Sequence, residues 1–181
     1  MNLGKEKLLL HVCCAPCSIY VINRLLDYFN LTVYFFNPNI FPEEEYLKRL
    51  AEVKNFCKSR KIDYIEEDYF QKDWFKFIDG YESEPERGFR CELCFLYRLS
   101  KTAKFAKNNN FDWFSTTLTM GRQKQSFKVL EIGRKAEDKY RVKFWAEDFK
   151  KNFGTQISDW LAKQMDLYKQ DYCGCVFSKE G

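Results

Sequence analysis

Apolar residues run along this chain in two alternating periods. "KLLLHVCC" (7–14) is a short apolar run bounded by a turn, which predicts a fully buried strand. "SIYVINRLLDYFN" then has helical spacing, with Ser18 as its expected N-cap. "LTVYFFNPN" is β-branched and aromatic and stops at Asn-Pro-Asn, so it predicts a second strand. The next helix, 42–61, opens with Pro42 and three glutamates and ends with basic residues, as the helix dipole favours. Its Tyr46, Leu50, Val53 and Cys57 fall at i, i+4, i+7 and i+11, on one face. "IDYIEED" predicts strand three, "QKDWFKFID" a short helix, and "GYESEPERGF" a polar loop. A helix over 90–109, a strand over 111–120, a helix over 122–139 with a weak spot at Gly133, and a strand over 141–148 follow. A last helix, 155–170, leads into the tail "DYCGCVFSKEG".

Strands that alternate with helices imply an α/β, Rossmann-like parallel sheet of about five strands with helices on both faces. The expectation is one catalytic domain, 1–181, with 171–181 as a cysteine-bearing tail. Ligands of such sheets sit at the carboxyl ends of the strands, near the switch in strand order. The distinctive residues follow the strands: CCAPC, NPNIFP, EEDYF, TTLTMGRQK and EDFKK. If the fold is right, they share one rim.

Composition adds chemistry to that outline. The 181 residues carry 30 basic and 26 acidic side chains, a net +4 that permits an anionic partner such as RNA. Aromatics make up 18%, more than a minimal core needs, and some rings could stack on bases. No run reaches the ~18 apolar residues of a membrane span. The N-terminal apolar run is shorter than the roughly 7 to 15 residues of a signal-peptide core, so a cytoplasmic location is expected. There, eight cysteines point to metal binding or redox chemistry rather than a disulfide framework.

Cys57, on the apolar stripe, reads as a small buried hydrophobe. Seven cysteines remain. Cys91 and Cys94 stand at i and i+3 near a helix N-terminus, which favours thiolate. Cys14 and Cys17 form a second C-x-x-C, 74 positions from Cys91, too far for a self-contained zinc ribbon. Four thiolates suit zinc or an iron–sulfur cluster. Seven thiols favour a [4Fe–4S] cluster with redox partners or a second metal, and zinc and metal-free dithiol chemistry stay open. Two thiols separated by one glycine, Cys173 and Cys175, suit a redox relay. His11 is a proton donor or a partner of the metal ligands, or else a satisfied core residue. There is no G-x-G-x-x-G, Walker A or pyrophosphate-loop motif, so ATP use is not expected.

The motifs "HVCCAPCS", "NPNI" with "EEYLKR", "RCELCFLYRL", "TTL", "DF" plus a basic residue, and "YCGC", in that order, resemble the QueH-type epoxyqueuosine reductases. The resemblance spans most of the chain. It implies a cobalamin-independent, two-electron reduction of the epoxide of epoxyqueuosine, at the wobble position of tRNA, to the alkene of queuosine. It implies a [4Fe–4S] cluster and a fold similar to the pyrophosphate-loop (HUP) domains, with electrons from an external donor. Carried over, the cluster ligands are Cys13, Cys14, Cys91 and Cys94, which replaces the Cys14–Cys17 pair. Cys17 is then free for a second, mononuclear iron, and Cys173 and Cys175 are the redox-active pair.

On this reading Asp68, Asp148 and His11 are the acid candidates, and Tyr34, Phe36, Phe95 and Trp113 are candidate stacking rings. Lys124, Lys128, Arg134, Lys150 and Lys151 are candidate phosphate contacts. Two rival readings stand beside it: a cluster-dependent tRNA sulfur transferase, and a non-enzymatic Fe–S or zinc redox sensor that binds RNA.

Overall fold

In the computed structural model, residues 4–178 are described. Five strands form one all-parallel sheet in the order β3-β2-β1-β4-β5. In chain order the elements are β1 (Lys7–His11), α1 (Ala15–Leu26), β2 (Asn30–Phe35), α2 (Glu43–Arg60) and β3 (Asp63–Glu66), then α3 (Gln71–Phe77) and α4 (Phe89–Asn108). β4 (Trp113–Thr116), α5 (Ser126–Tyr140), β5 (Lys143–Phe144) and α6 (Gly154–Gln164) complete it.

The strands alternate between two cores because side chains on a strand point to opposite faces in turn. Leu8 and Leu10 of β1, with Leu31, Val33 and Phe35 of β2, pack under α1 and α2 against Ile19, Ile22, Leu50 and Val53. Leu9, Tyr34 and Phe114 face the other way, onto Ala103 and Ala106 of α4 and Ala136 of α5. Three consecutive leucines of β1 are fully buried, each contributing roughly 1.5–3 kcal/mol. α1 packs on α6, and α4 on α5.

The fold is the one expected, and several boundaries moved. α1 starts at Ala15, with Pro16 in its first turn. Ser18 is therefore not its N-cap; its hydroxyl donates to Ala15 O from inside the helix, at 2.8 Å. α5 begins at Ser126, because Gly121 O and Lys124 O are held by the Lys150 ammonium in a preceding turn. Gly133 is not a weak spot. A Cβ there would lie 2.1 Å from the Phe144 ring, so the glycine lets α5 seat directly on β5. β5 has only two residues. α6 stops at Gln164, and the chain turns back with Tyr168 N held by the Glu52 carboxylate at 3.0 and 3.1 Å.

β1 is the central strand, paired to β2 on one side and β4 on the other. The sequence-successive strands run outward from β1 to β3, and the chain then returns to β4. The switch point, and so the expected ligand crevice, lies between the ends of β1 and β4.

Candidate functional site

β1 ends at His11, and α1 begins only four residues later. Cys13 and Cys14 occupy that turn, and Cys17 lies in the first turn of α1. Neighbouring side chains diverge on a regular strand, but here the strand has already broken, and Cys13 Sγ and Cys14 Sγ are 3.9 Å apart. Cys17 also hydrogen-bonds both. The three thiols share one negative charge. S–H donation from Cys14 and Cys17 holds Cys13 far below the ordinary thiol range, and Lys124 and Arg98 reinforce it. Cys14 is pushed up to about 12, first by its bond to the Cys13 sulfur. Cys17 moves up for the same reason.

The other thiols arrive from far along the chain. Cys91 and Cys94 sit in the first two turns of α4, and Cys94 packs with Cys175, Trp74 and Ile78. Cys173 lies close enough to act on the charges of Cys91, Cys94 and Lys124. The helix dipole does not win at Cys91 and Cys94: burial pushes both thiols up. All of these cysteines are free thiols. The tail that carries Cys173 and Cys175 is not frayed. Arg49 Nη1 donates to Cys173 O at 3.2 Å, Phe41 N to Gly174 O at 2.7 Å, and Tyr172 Oη to Phe41 O at 2.8 Å. Gly174 has φ +118°, a region that L side chains rarely adopt.

Three cations surround the thiols. Arg49 and Arg98 are each only 1% exposed. Arg49 pairs with Glu45 at 2.6 Å. Arg98 reaches Asn37 Oδ1 and His11 Nε2, and no carboxylate among the described residues. Burial opposes charge on Lys124, yet the sulfurs of Cys13, Cys173 and Cys17 outweigh it and hold its ammonium above the ordinary lysine range. A buried guanidinium without a carboxylate requires another anion. Metal-bound thiolates would supply it. Three N–H groups also aim at sulfur: Gln170 Nε2 donates to Cys14 Sγ at 3.0 Å and Arg87 N to Cys91 Sγ at 3.3 Å. The buried Trp74 Nε1 has no nitrogen or oxygen partner and borders Cys94 Sγ. The donor set therefore fits a thiolate-ligated cluster. Among the described residues, no three His, Cys, Asp or Glu side chains form a cage for a single metal ion.

A cavity of about 460 Å³ opens at the switch point. Cys17, Met120, Lys124, Gln170 and Cys173 are in its wall, and Arg122, Asp159 and Lys169 are at its mouth. Three sequence candidates lie elsewhere. His11 is fully buried, its Nδ1 paired with Thr116 Oγ1 at 2.9 Å and its Nε2 with Phe36 O at 3.1 Å. Burial and then Arg98 hold it neutral, down to about 3. Its position suits support of the Cys13 turn. Asp68 is exposed beyond β3. Asp148 caps its own loop, accepting from Lys150 N at 3.2 Å.

None of the four candidate rings lines the cavity. Tyr34, Phe36 and Phe95 are core residues, and Trp113 starts β4 at the opposite end of the sheet, bonded to Glu6. Of the basic candidates, Lys128 pairs with Glu92, Arg134 with Glu137, and Lys150 with backbone carbonyls. Lys124 faces sulfur, and Lys151 is exposed. Trp74 and Gln170 carried no sequence signal, since an apolar helix position and a tail amide look ordinary.

The family model described as epoxyqueuosine reductase QueH matches residues 8–181. The epoxyqueuosine reductase QueH of Streptococcus pyogenes serotype M1 is 38% identical over 180 residues, covering 96% of this chain and 71% of that protein. The one from Histophilus somni is 41% identical over 177 residues, covering 97% and 73%. Among solved structures, the U34-tRNA thiolase NcsA from Methanococcus maripaludis with its [4Fe–4S] cluster superposes with a TM-score of 0.60. It covers 98% of this chain and 64% of that one at 14% identity, a likeness of fold.

Proposed function

The chain belongs to the epoxyqueuosine reductase QueH family, and from that premise we propose that it reduces the epoxide of epoxyqueuosine in tRNA to the alkene of queuosine. The overall change takes two electrons and two protons and releases one water. The observation that carries the reading is a pair of thiol groups at the rim: Cys13, Cys14 and Cys17 after β1, and Cys91, Cys94 and Cys175 around Cys173, with Cys17 and Cys173 both in the wall of a cavity of about 460 Å³.

Cys13, Cys14, Cys91 and Cys94 are the proposed ligands of a [4Fe–4S] cluster. Bound there, it would supply electrons one at a time from an external donor. Cys17 is left at the cavity wall, where it can touch substrate or a second iron that draws its remaining ligands from outside this thiol set. Cys173 and Cys175 serve as the redox pair, and the Arg49 contact to Cys173 O fixes where that pair stands.

The chain's own residues divide the rest of the work. The cavity holds the splayed base, and loop bases leave the stack at low cost. Lys124 Nζ is at the cavity wall, charged and among the sulfurs, so it would donate a hydrogen bond to the epoxide oxygen and polarise the C–O bond while keeping its own proton. His11 and Arg98 position the Cys13 turn from behind. A sulfur transferase of this fold would need a nucleotide site, and here the turn after β1 is filled by Cys13, Cys14 and Pro16.

The test is anaerobic iron and sulfide analysis with a visible spectrum, followed by turnover on epoxyqueuosine-containing tRNA with a chemical reductant. Iron with sulfide and formation of queuosine are expected. A colourless protein with one zinc would end the reading. Cys17→Ser separates the two ligand sets: an intact cluster with altered turnover favours Cys13 with Cys14, and cluster loss favours Cys14 with Cys17.

A further inference from the structure

Helix α6 shows solvent a face that its surroundings do not explain. Gly154, Ser158 and Ala162 are buried against α1, with Ser158 Oγ donating to Pro16 O at 2.6 Å. Thr155 and Asp159 line the cavity. Further round the helix, Phe153, Ile157 and Trp160 are 75%, 39% and 61% exposed. They stand at i, i+4 and i+7, one continuous stripe. We propose that this stripe is a stacking platform for the unpaired RNA nucleotides that flank the base held in the cavity. The proposal rests on the tRNA reading above and names a surface that reading leaves open.

Three further observations favour RNA as the occupant. First, the backbone is bent to present a ring. Asn152 and Phe153 have φ of +53° and +61°, the left-handed region that bulky residues avoid. Gly154 follows under Phe149 O, where a Cβ would lie 1.8 Å away. Such conformations persist where the surroundings over-determine them, often at binding sites. Second, the rim is basic. Asp159 is already paired to Arg122 and to Lys169. Lys151 and Lys163 are exposed with no carboxylate partner among the described residues. Third, the same helix supplies Thr155 and Asp159 to the cavity wall and carries the stripe on another face. The stripe runs ~10 Å along the helix axis, within reach of a nucleotide adjoining the bound base. Aromatic rings set among cations are the recurring platform for single-stranded nucleic acid.

The experiment measures the affinity of the iron-loaded protein for an anticodon stem-loop RNA by fluorescence anisotropy, and turnover on the epoxyqueuosine form of the same RNA. Phe153→Ala and Trp160→Ala are each expected to weaken binding and raise KM by about tenfold, with kcat at saturating RNA and iron content unchanged. Trp160→Phe retains binding. Lys151→Gln lowers the salt slope of binding by about 0.7. Unchanged affinity in both alanine variants overturns the proposal, as does wild-type protein that fails to bind the stem-loop. Sedimentation that shows a dimer dissolved by Trp160→Ala, with RNA affinity intact, assigns the stripe to a second copy and also overturns it. The two readings fail separately. Wild-type protein that binds through the stripe without turnover sinks the reductase reading alone, and turnover with unaltered KM in the variants sinks the platform alone.

Discussion

Cys13, Cys14 and Cys17 lie within five residues, and one strand-to-helix turn holds them together. Cys91 and Cys94 meet Cys173 and Cys175 only because the tail returns across the sheet rim and is pinned by Arg49 and Phe41. The two groups also differ in charge. The turn keeps Cys13 as a thiolate through its neighbours' S–H groups and the nearby cations. Against α4, burial pushes the Cys91, Cys94 and Cys175 thiols up, Cys175 to about 11. The local group is brought together by one turn, although Lys124, Arg98 and Gln170 reach it from elsewhere in the chain. The distant group forms only when the fold is complete, so it can report whether the site is assembled.

The largest test of that contrast is to remove one ligand from each group. Cys13→Ser and Cys94→Ser are each expected to abolish the visible absorption of the iron-loaded protein and lower turnover by at least about a hundredfold. If only Cys13→Ser does so, the metal belongs to the turn alone and the two groups act independently. Next in size is Gly174→Ala. A Cβ there meets Arg49 Nη1 at 2.9 Å, in backbone already at φ +118°. Strain of about 1–3 kcal/mol should lower the melting temperature and expose Cys173 and Cys175 to thiol reagents. Cys14 and Cys17 should react as before; if they too become reactive, the groups are one cooperative unit.

Trp74→Phe is subtler, because it keeps the packing and removes the N–H beside Cys94. A fall of about tenfold in cluster affinity and a shifted reduction potential are expected, read by iron titration and potentiometry. An unchanged potential would mean that Cys94 needs no such donor. Smallest of all is Cys57→Ala, since Cys57 belongs to neither group. Burial pushes its thiol up to about 12. Its contribution to stability is therefore complete below the unfolded thiol value of about 8.5 and lost as pH rises toward the folded one. The alanine variant should flatten part of the alkaline decline in urea stability, with iron content unaltered.

The contrast also explains what could be read in the sequence. The alternation of strands and helices gave the sheet, because both periods are local. Tyr46, Leu50, Val53 and Cys57 on one stripe are all buried, as spacing required. The β1 turn announced itself by three cysteines in five residues. By contrast, Lys124 reads as one more surface lysine until the turn from Gly121 carries it inward. Trp113 begins β4 and Phe95 is buried in α4, and sequence tells neither which end of a strand reaches the rim nor which face of a helix is covered. Phe153 is exposed at a left-handed backbone position that the sequence does not announce.

Arg49, Arg98 and Lys124 have only Glu45 as a carboxylate partner among the described residues. Positive charge therefore outnumbers carboxylate at this rim, and any anion held there, a thiolate or a bound ligand, is drawn in by the same three side chains.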